Sequence, residues 1–387
     1  MGSRVRSSQF YSQYHGHPVT GLEQVLAAMD ETCTRRVFLA GDSSLDNKHW
    51  LFRTNIKESA FQEPLSSSRS DPDNDRHTLA PALSGYSTAL SPPLMVKDVT
   101  YWCQREAQER GKQDLGFLNC AVEESALSDR RGGRLLEQDE FVRDNIRSND
   151  ILIVSVGGND VVLKPSTCTM LAMFGLTILT PGFAVSRWRT GFGIRHMAHL
   201  FGPRVQRFIE ALTAKVRPRA VIVCSIYYPC AVTEGWASTL LNLVGYGRNP
   251  AHLQSLIQLI HDRATSNITL APLSAPLSAP PSAPPALEQG DGEAEKEGDQ
   301  GEKEHGAGVD VVDVEDGDGG GGVGSARHRG PHGRTPVVAP VVIPIKLCEV
   351  LDANDASDYE AQVEPSIKGG RKMAKAFLDA LESHNII

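Results

Sequence analysis

Five short apolar runs alternate along the chain with amphipathic segments of helical length. The runs cover residues 36–40, 115–120, 151–156, 220–226 and 337–345. They are rich in Val, Ile, Leu and Phe without strict polar alternation, which is typical of strands buried on both faces of a parallel sheet. Helices are predicted at 21–31, 96–110, 134–147, 203–216, 251–265 and 371–383. The alternation predicts a doubly wound, flavodoxin-like α/β fold with a mostly parallel five-stranded sheet and flanking helices.

Two segments at the margins of this pattern predict the domain limits. Residues 1–20 are mostly polar and predict an N-terminal tail ahead of a single domain over 21–387. Residues 266–336 run from Ala-Pro-Leu-Ser and Ala-Pro-Pro repeats through a Glu/Lys/Gly/Asp mixture to a glycine run. Because such a composition buries too little apolar surface to fold, we expect a disordered insert in a surface loop. The insert is either a tether for a protein partner or, more commonly, a tolerated insertion.

A third segment, 165–200, contains an uncharged stretch over 168–185. Its eighteen residues approach the roughly 20 that a membrane span needs, but Pro181 and Gly182 interrupt it. The stretch follows the loop after the third predicted strand, and ligands of open α/β sheets bind beyond the carboxyl ends of the strands. We therefore interpret 165–200 as a cap or lid over that crevice. A plain core helix is the alternative, and a membrane anchor is the least favoured interpretation.

Charge and cysteine content exclude several classes of protein. The chain carries a net charge of −8, but the 31 residues from 288 to 318 hold 13 acidic residues and two lysines, so the remainder is nearly neutral. That balance gives no electrostatic case for a nucleic-acid partner. The seven scattered cysteines have no CxxC spacing, which argues against a disulfide framework, a metal site or a metal cofactor. Residues 1–17 lack the apolar core of a secretory signal, which favours a cytoplasmic location.

Two loops that follow predicted strands carry the candidate chemistry. Gly41-Asp42-Ser43 follows the first strand, and Gly157-Gly158-Asn159-Asp160 follows the third. A serine on a sharp turn between a strand and a helix exposes its hydroxyl near backbone N–H groups, and an asparagine amide can donate a hydrogen bond to an oxyanion. The sequence thus predicts a nucleophile and an oxyanion donor at the same edge of the sheet. The simpler alternatives are a helix N-cap for Ser43 and a turn residue for Asn159.

These motifs resemble those of the SGNH (GDSL-type) hydrolase family. Gly41-Asp42-Ser43, with Leu45 following, is similar to the first family block, and Gly157 to Asp160 are similar to the third. The resemblance covers about 36–381 without the insert. It implies that Ser43 is the nucleophile and that its N–H and the Asn159 side chain are two of three oxyanion donors.

The other two blocks depart from the family pattern. Glu124 stands where the second block, starting at Asn119, would have its glycine. In the last block, where the family has Asp-x-x-His-Pro, this chain has Ala361 for the Asp and Glu364 for the His. Glu-Pro-Ser in that block, together with Leu45-Asp46-Asn47 after the serine, resembles a variant branch of the family. Glu364 is the candidate base, and Asp358 is a candidate orienting acid.

The resemblance implies an esterase or acyl hydrolase that acts on small-molecule esters through a serine nucleophile and needs no cofactor. A catalytically impaired protein that binds acylated or carbohydrate ligands is the alternative, because the usual histidine is missing. An interaction protein organised by its acidic insert is a third possibility, which rests on composition alone.

Overall fold

The computed structural model describes residues 4–52, 58–61, 77–273 and 339–387. The central sheet has five strands: β1 (Arg35–Gly41), β2 (Leu115–Asn119), β3 (Ile151–Ser155), β4 (Ala220–Cys224) and β5 (Val341–Ile345). All neighbouring strands are parallel, and their order is β2-β1-β3-β4-β5. The predicted α/β fold with a five-stranded parallel sheet is confirmed, and this strand order is the flavodoxin-like one.

Seven helices of at least eight residues occur in the described ranges. They are α1 (Val19–Asp30), α2 (Val99–Glu109), α3 (Glu137–Asn145), α4 (Thr167–Phe174), α5 (Val205–Leu212), α6 (Pro250–Arg263) and α7 (Ile367–Ser383). Shorter α-helices lie at Ser7–Phe10, Lys48–Phe52, Gly85–Ala89, Asn159–Val162, Gly182–Ser186, Ile194–His199 and Ser238–Leu243. Short strands lie at Val5–Arg6, Leu79–Pro81, Leu90–Ser91, Leu94–Val96, Tyr359–Glu360 and Glu364–Pro365.

The burial of the sheet explains why its strands read as continuous apolar runs. Every residue of β2, β3 and β4 is buried, and in β1 only Arg35 is partly exposed. The last strand, β5, lies at the sheet edge and exposes Val341, and it tolerates Pro344 because an edge strand has no second neighbour to bond.

The final helix starts four residues earlier than 371–383 predicts. Ser366 caps α7 by accepting a hydrogen bond from Gly369 N at 3.0 Å. Gly369 lies within this helix. A side chain at this position would not fit, because a Cβ would be 2.2 Å from the backbone oxygen of Asp358. The glycine is therefore needed for the close approach of two backbones.

The N-terminal segment differs from the expected polar tail over 1–20. Val5–Arg6 pairs in parallel with Leu90–Ser91, and Phe10 and Tyr11 are each 1% exposed. The Phe10 ring stacks on His17 at 4.3 Å and meets Tyr86 edge-on at 5.9 Å. Two aromatic side chains thus anchor the described part of this segment, residues 4–20, against the folded domain.

The expected insert over 266–336 falls mainly outside the described residues. Its first part, 266–273, is described, and Ile268 and Leu270 are buried there. These two side chains extend the packed core past the expected boundary. None of the described helices has the length and apolar character that crossing a membrane requires.

Replacing the aromatic anchor tests the N-terminal packing. We expect Phe10→Ala to lower the free energy of unfolding by about 3 to 5 kcal/mol, because it empties a filled site in the core. Urea unfolding measures this loss, with the exposed neighbour substitution Gln9→Ala as the control. Equal stability of the two variants would contradict the packing described here.

Candidate active site

The turn after β1 places Ser43 at the carboxyl end of the sheet. Gly41 has φ +143°, and a Cβ at this position would lie only 1.7 Å from the Ser155 carbonyl oxygen. Asp42 N donates to that same oxygen at 3.0 Å. Only a glycine lets β1 turn this tightly against the end of β3.

The expected helix directly behind Ser43 is absent. The backbone forms a turn instead, in which the amides of Leu45 and Asp46 both donate to the Asp42 carbonyl at 3.1 Å, and the short helix begins only at Lys48. A helix dipole at the serine is therefore not available, and individual N–H groups must supply the positive field. The Ser43 amide has no acceptor among the described residues, so it is free to donate into the site.

Asn159 lies beside Ser43 and lines the same cavity. Its Nδ2 donates to the Ser125 carbonyl at 3.0 Å, which fixes the amide plane and uses one of the two N–H bonds. The second N–H is left for a ligand. The structure thus brings the predicted nucleophile and the predicted oxyanion donor together.

Glu124 keeps a glycine-like backbone without being glycine. Its φ is +58°, in the left-handed region that glycine adopts most easily. The Tyr14 hydroxyl donates to Glu124 Oε1 at 3.0 Å, and Glu124 is not among the residues that line the cavity. The carboxylate is therefore held by Tyr14 while the loop keeps the path that a glycine would give it.

Asp42 and Gly158 line the cavity with Ser43, whereas Gly41, Gly157 and Asp160 do not. Asp160 accepts hydrogen bonds from the amides of Leu127 and Ser128, at 2.6 and 3.0 Å, and pairs with Arg204. The expected cavity-lining role of Asp160 is therefore wrong, because both of its carboxylate oxygens accept hydrogen bonds from the neighbouring loop. Asp160 positions that loop.

The carboxyl group of Asp42 is buried next to Ser43. Its Oδ1 accepts hydrogen bonds from the Ser44 amide at 3.1 Å and the Ser44 hydroxyl at 2.7 Å. Burial raises the pKa of Asp42 to about 6, although the two hydrogen bonds from Ser44 act in the opposite direction.

Glu364 also lines the cavity, and backbone contacts on both sides hold it there. The Tyr227 hydroxyl donates to the Val363 carbonyl at 2.6 Å, and Asn47 Nδ2 donates to the Pro365 carbonyl at 2.9 Å. Asn47 belongs to the turn that carries Ser43, so the serine and Glu364 are positioned by one connected set of hydrogen bonds.

The environment of Glu364 favours a neutral carboxyl group. The side chain is 3% exposed, and its Oε2 has no partner among the described residues. Burial raises the pKa of Glu364, and the nearby Asp42 raises it further, whereas hydrogen bonding from the Ser43 hydroxyl and the Trp236 indole lowers it. The carboxyl group that lines the cavity with Ser43 thus has its pKa raised to about 8, well above its ordinary acidic range.

Asp358 lies elsewhere. Its carboxylate is fully buried, lies 2.5 Å from Lys372 Nζ and accepts a hydrogen bond from Asp352 N at 3.0 Å. It is not among the cavity-lining residues. The expected role of orienting acid is therefore not supported, because both partners keep Asp358 in the packing between α7 and the preceding loop.

No histidine lines the cavity in the described part of the chain. His49, which forms Asp-x-x-His with Asp46, packs edge-on against Tyr14 at 4.4 Å. His196 and His252 contact Thr169 Oγ1 and the Leu176 carbonyl. Among the described residues, no histidine therefore lies where it could act on Ser43 from within the cavity.

Sequence reasoning missed a second buried glutamate. The Trp50 indole donates to Glu123 Oε1 at 3.0 Å, whereas Oε2 has no partner among the described residues. Burial raises the pKa of Glu123, and the neighbouring carboxyl groups of Glu364 and Asp46 raise it further. The only feature of the sequence that could have pointed to Glu123 is its position directly before Glu124 in the second block.

The cavity itself is mainly apolar and has a volume of about 150 Å³. Its polar end holds the groups described above, and the rest is formed by side chains from three elements beyond the sheet. The lining includes Met173, Leu176, Leu241, Val244, Leu256 and Ile260. Residues within 165–200 thus contribute directly to the wall, alongside Ser238–Leu243 and α6.

Removing the titratable carboxyl group of Glu123 tests its raised pKa. The pKa of Glu123 is higher in the folded than in the unfolded protein. Its contribution to the free energy of unfolding is therefore complete below the unfolded-state pKa and is lost as pH rises through the folded-state pKa. We expect Glu123→Gln, which keeps a hydrogen-bond acceptor for Trp50, to lose less stability than the wild type as pH rises above the ordinary pKa of a glutamate. Urea unfolding across pH measures it, with the exposed substitution Glu137→Gln as control, and an unchanged pH dependence would contradict the assignment.

Comparisons with known proteins add little to this geometry. No protein-family model and no curated protein matches the chain. LAE5, an alpha/beta hydrolase enzyme from the metagenome of Lake Arreo, Spain, is similar at 10% identity and a TM-score of 0.37, over 91% of this chain and 96% of that one. An extracellular lipase from Streptomyces rimosus is similar at 12% identity and a TM-score of 0.28, over 60% and 77% of the two chains. TM-scores this low carry no argument, so the functional case rests on the site.

Proposed function

We propose that this protein is an esterase or acyl hydrolase of the SGNH type with Ser43 as its nucleophile. One observation carries the proposal: the Ser43 hydroxyl, the Glu364 carboxylate and the Asn159 amide converge on the polar end of an apolar cavity. The motifs around Ser43 and Asn159 supply the family resemblance. The burial of Glu364 in the same cavity supports it as the base in place of the usual histidine.

In the proposed first step, the ionised Glu364 takes the hydroxyl proton as Ser43 Oγ attacks the ester carbonyl carbon. A base works best when its pKa lies near the working pH, and burial moves Glu364 in that direction. The oxyanion that forms accepts hydrogen bonds from the Ser43 amide and Asn159 Nδ2. No third donor is assigned, because Glu124 does not line the cavity.

The tetrahedral intermediate collapses when Glu364 returns the proton to the leaving alcohol oxygen. An acyl group is then bound to Ser43. Water attacks this acyl-enzyme, Glu364 accepts a proton from the water, and the proton passes to Ser43 Oγ as the acid leaves. Each proton that Glu364 gains is released in the same half-reaction, so the side chain is regenerated.

The lining of the cavity indicates the substrate class. Aliphatic side chains such as Leu176, Leu241 and Ile260 surround the space beyond Ser43. This surface suits a hydrocarbon acyl chain, because apolar contacts recover the free energy of transferring the chain from water. The proposed substrate is an ester of an apolar acid.

A binding protein without turnover is the second candidate. It is favoured by the absence of histidine from the cavity lining in the described part of the chain. In that case the same apolar cavity would hold an acylated ligand, and Ser43 would only donate a hydrogen bond to it.

Two substitutions separate the candidates. We expect Ser43→Ala and Glu364→Gln each to lower kcat/KM for a p-nitrophenyl ester by at least about a hundredfold, because one removes the nucleophile and the other its base. The wild-type rate should rise with pH through the raised pKa of Glu364, since the ionised form is the active one.

The matched control is Glu360→Gln, a nearby glutamate outside the cavity lining. Wild-type turnover equal to that of Ser43→Ala would contradict the hydrolase proposal and favour the binding protein. Full activity of Glu364→Gln would retain Ser43 as the nucleophile but reject Glu364 as its base.

Narrowing the cavity tests where the acyl chain binds. Val244 is half-buried and lines the cavity, whereas its neighbour Leu243 is 74% exposed and does not. We expect Val244→Trp to raise KM for an octanoyl ester at least about fourfold, with a smaller effect on an acetyl ester, because one blocked methylene is worth about 0.8 kcal/mol. Leu243→Trp is the control, and equal effects of the two variants would contradict the placement.

A further inference from the structure

The outer side of the cap exposes large apolar side chains on one helical face. Met170, Leu171, Phe174 and Ile178 are each more than half exposed. They follow the spacing i, i+1, i+4, i+8 along α4 and the turn that continues it, which places them on one side. These four residues are called the cap face below.

The opposite side of the same segment covers the cavity. Met173, Leu176 and Thr177 lie among the cavity-lining residues and alternate with the cap face along the chain. A helix that is apolar on both sides suits an apolar environment on both sides. The protein core provides one of them, and the described chain leaves the other in contact with solvent.

Further exposed aromatic rings follow in the same segment. Phe183 and Trp188 pack edge-on against each other at 5.1 Å and are each more than half exposed. Phe192 is 66% exposed, and its backbone lies against Gly175, within the turn that continues α4. Exposed apolar surface on this scale marks an interaction site in a soluble domain.

The charge of the segment is entirely positive. Residues 161–209 contain six arginines and lysines and no aspartate or glutamate. Lys164, Arg189 and Arg204 pair with acidic residues of other segments. Arg187 and Arg195 are exposed and have no acidic partner in the described ranges, so the cap combines apolar rings with uncompensated cationic groups.

We propose that the cap face docks the protein onto an anionic lipid surface. Exposed Leu, Phe and Trp side chains with flanking arginines are the combination that lies in the interface of a membrane, where the rings enter the headgroup region and the cations meet lipid phosphates. The segment lies on the membrane without crossing it, which agrees with the lack of a spanning helix among the described residues. Docking is independent of the hydrolysis proposed above.

A lipid surface is favoured over a second copy or another protein by charge and by continuity. The chain outside 288–318 is nearly neutral, so this part of a second copy offers the cationic cap no net negative charge. One segment, α4 and the turn that continues it, separates the cap face from the cavity. An acyl chain in a lipid layer would therefore meet the apolar cap face on one side of this segment, and the apolar cavity lies on its other side.

Cosedimentation of the full chain with vesicles tests the docking. Phosphatidylcholine vesicles with and without phosphatidylserine are compared, in the absence of any ester substrate. We expect binding to the phosphatidylserine vesicles to exceed binding to the neutral ones. The triple variant Leu171→Gln, Phe174→Gln and Ile178→Gln, and separately the pair Arg187→Gln and Arg195→Gln, should each weaken that binding by at least about tenfold.

Two matched controls keep the test specific. Val341→Thr changes an exposed apolar residue on the sheet edge, and Arg131→Gln with Arg134→Gln changes two exposed arginines outside the cap; both should bind as the wild type does. Absent binding, equal binding to both vesicles or unchanged binding of the triple variant would overturn the proposal. So would a wild-type dimer that the triple variant converts to a monomer, because a second copy would then cover the cap face.

Discussion

The buried carboxylate of Asp46 holds together the segments from which the site is built. Its Oδ2 accepts hydrogen bonds from the amides of Gly16 and Glu123, both at 3.0 Å, and its Oδ1 lies 2.5 Å from Lys48 Nζ. Because a buried carboxylate is costly without such partners, the N-terminal segment, the second-block loop and the turn after β1 are fixed relative to one another. Ser43 lies three residues before Asp46, so its placement depends on this set of contacts.

Hydrogen bonds to the residues on either side of Glu364 hold this glutamate at the position where the motif predicts a histidine. Asn47 ties the Ser43 turn to Pro365, and Tyr227 holds Val363 from the other side. The side chain between them, Glu364, is thereby withdrawn from water, and burial raises its pKa. A glutamate is too weak a base in solution, and burial makes Glu364 a stronger one by raising its pKa. Burying the carboxyl group costs stability, which the hydrogen bonds to Pro365 and Val363 offset.

The sequence was most informative where local pattern and tertiary environment agree. The strands could be predicted because each is buried on both faces, and Gly41 could be placed because only a glycine fits its turn. Contacts between distant residues were not predictable: Phe10 anchors a segment that composition describes as a tail, and Tyr14 holds the carboxylate of Glu124. The groups around Glu364 lie on two segments far from it in the chain, after β1 and after β4, so no spacing rule could have identified its environment.

The central claim is that Ser43 is a nucleophile activated by Glu364. The most direct measurement is the rate at which a fluorophosphonate labels the protein across pH, with the modified peptide identified by mass spectrometry. The account predicts one adduct, on Ser43, forming faster as pH rises through the raised pKa of Glu364, with this rise lost in Glu364→Gln. No adduct on Ser43 at any pH, or the same pH dependence in Glu364→Gln, would contradict it.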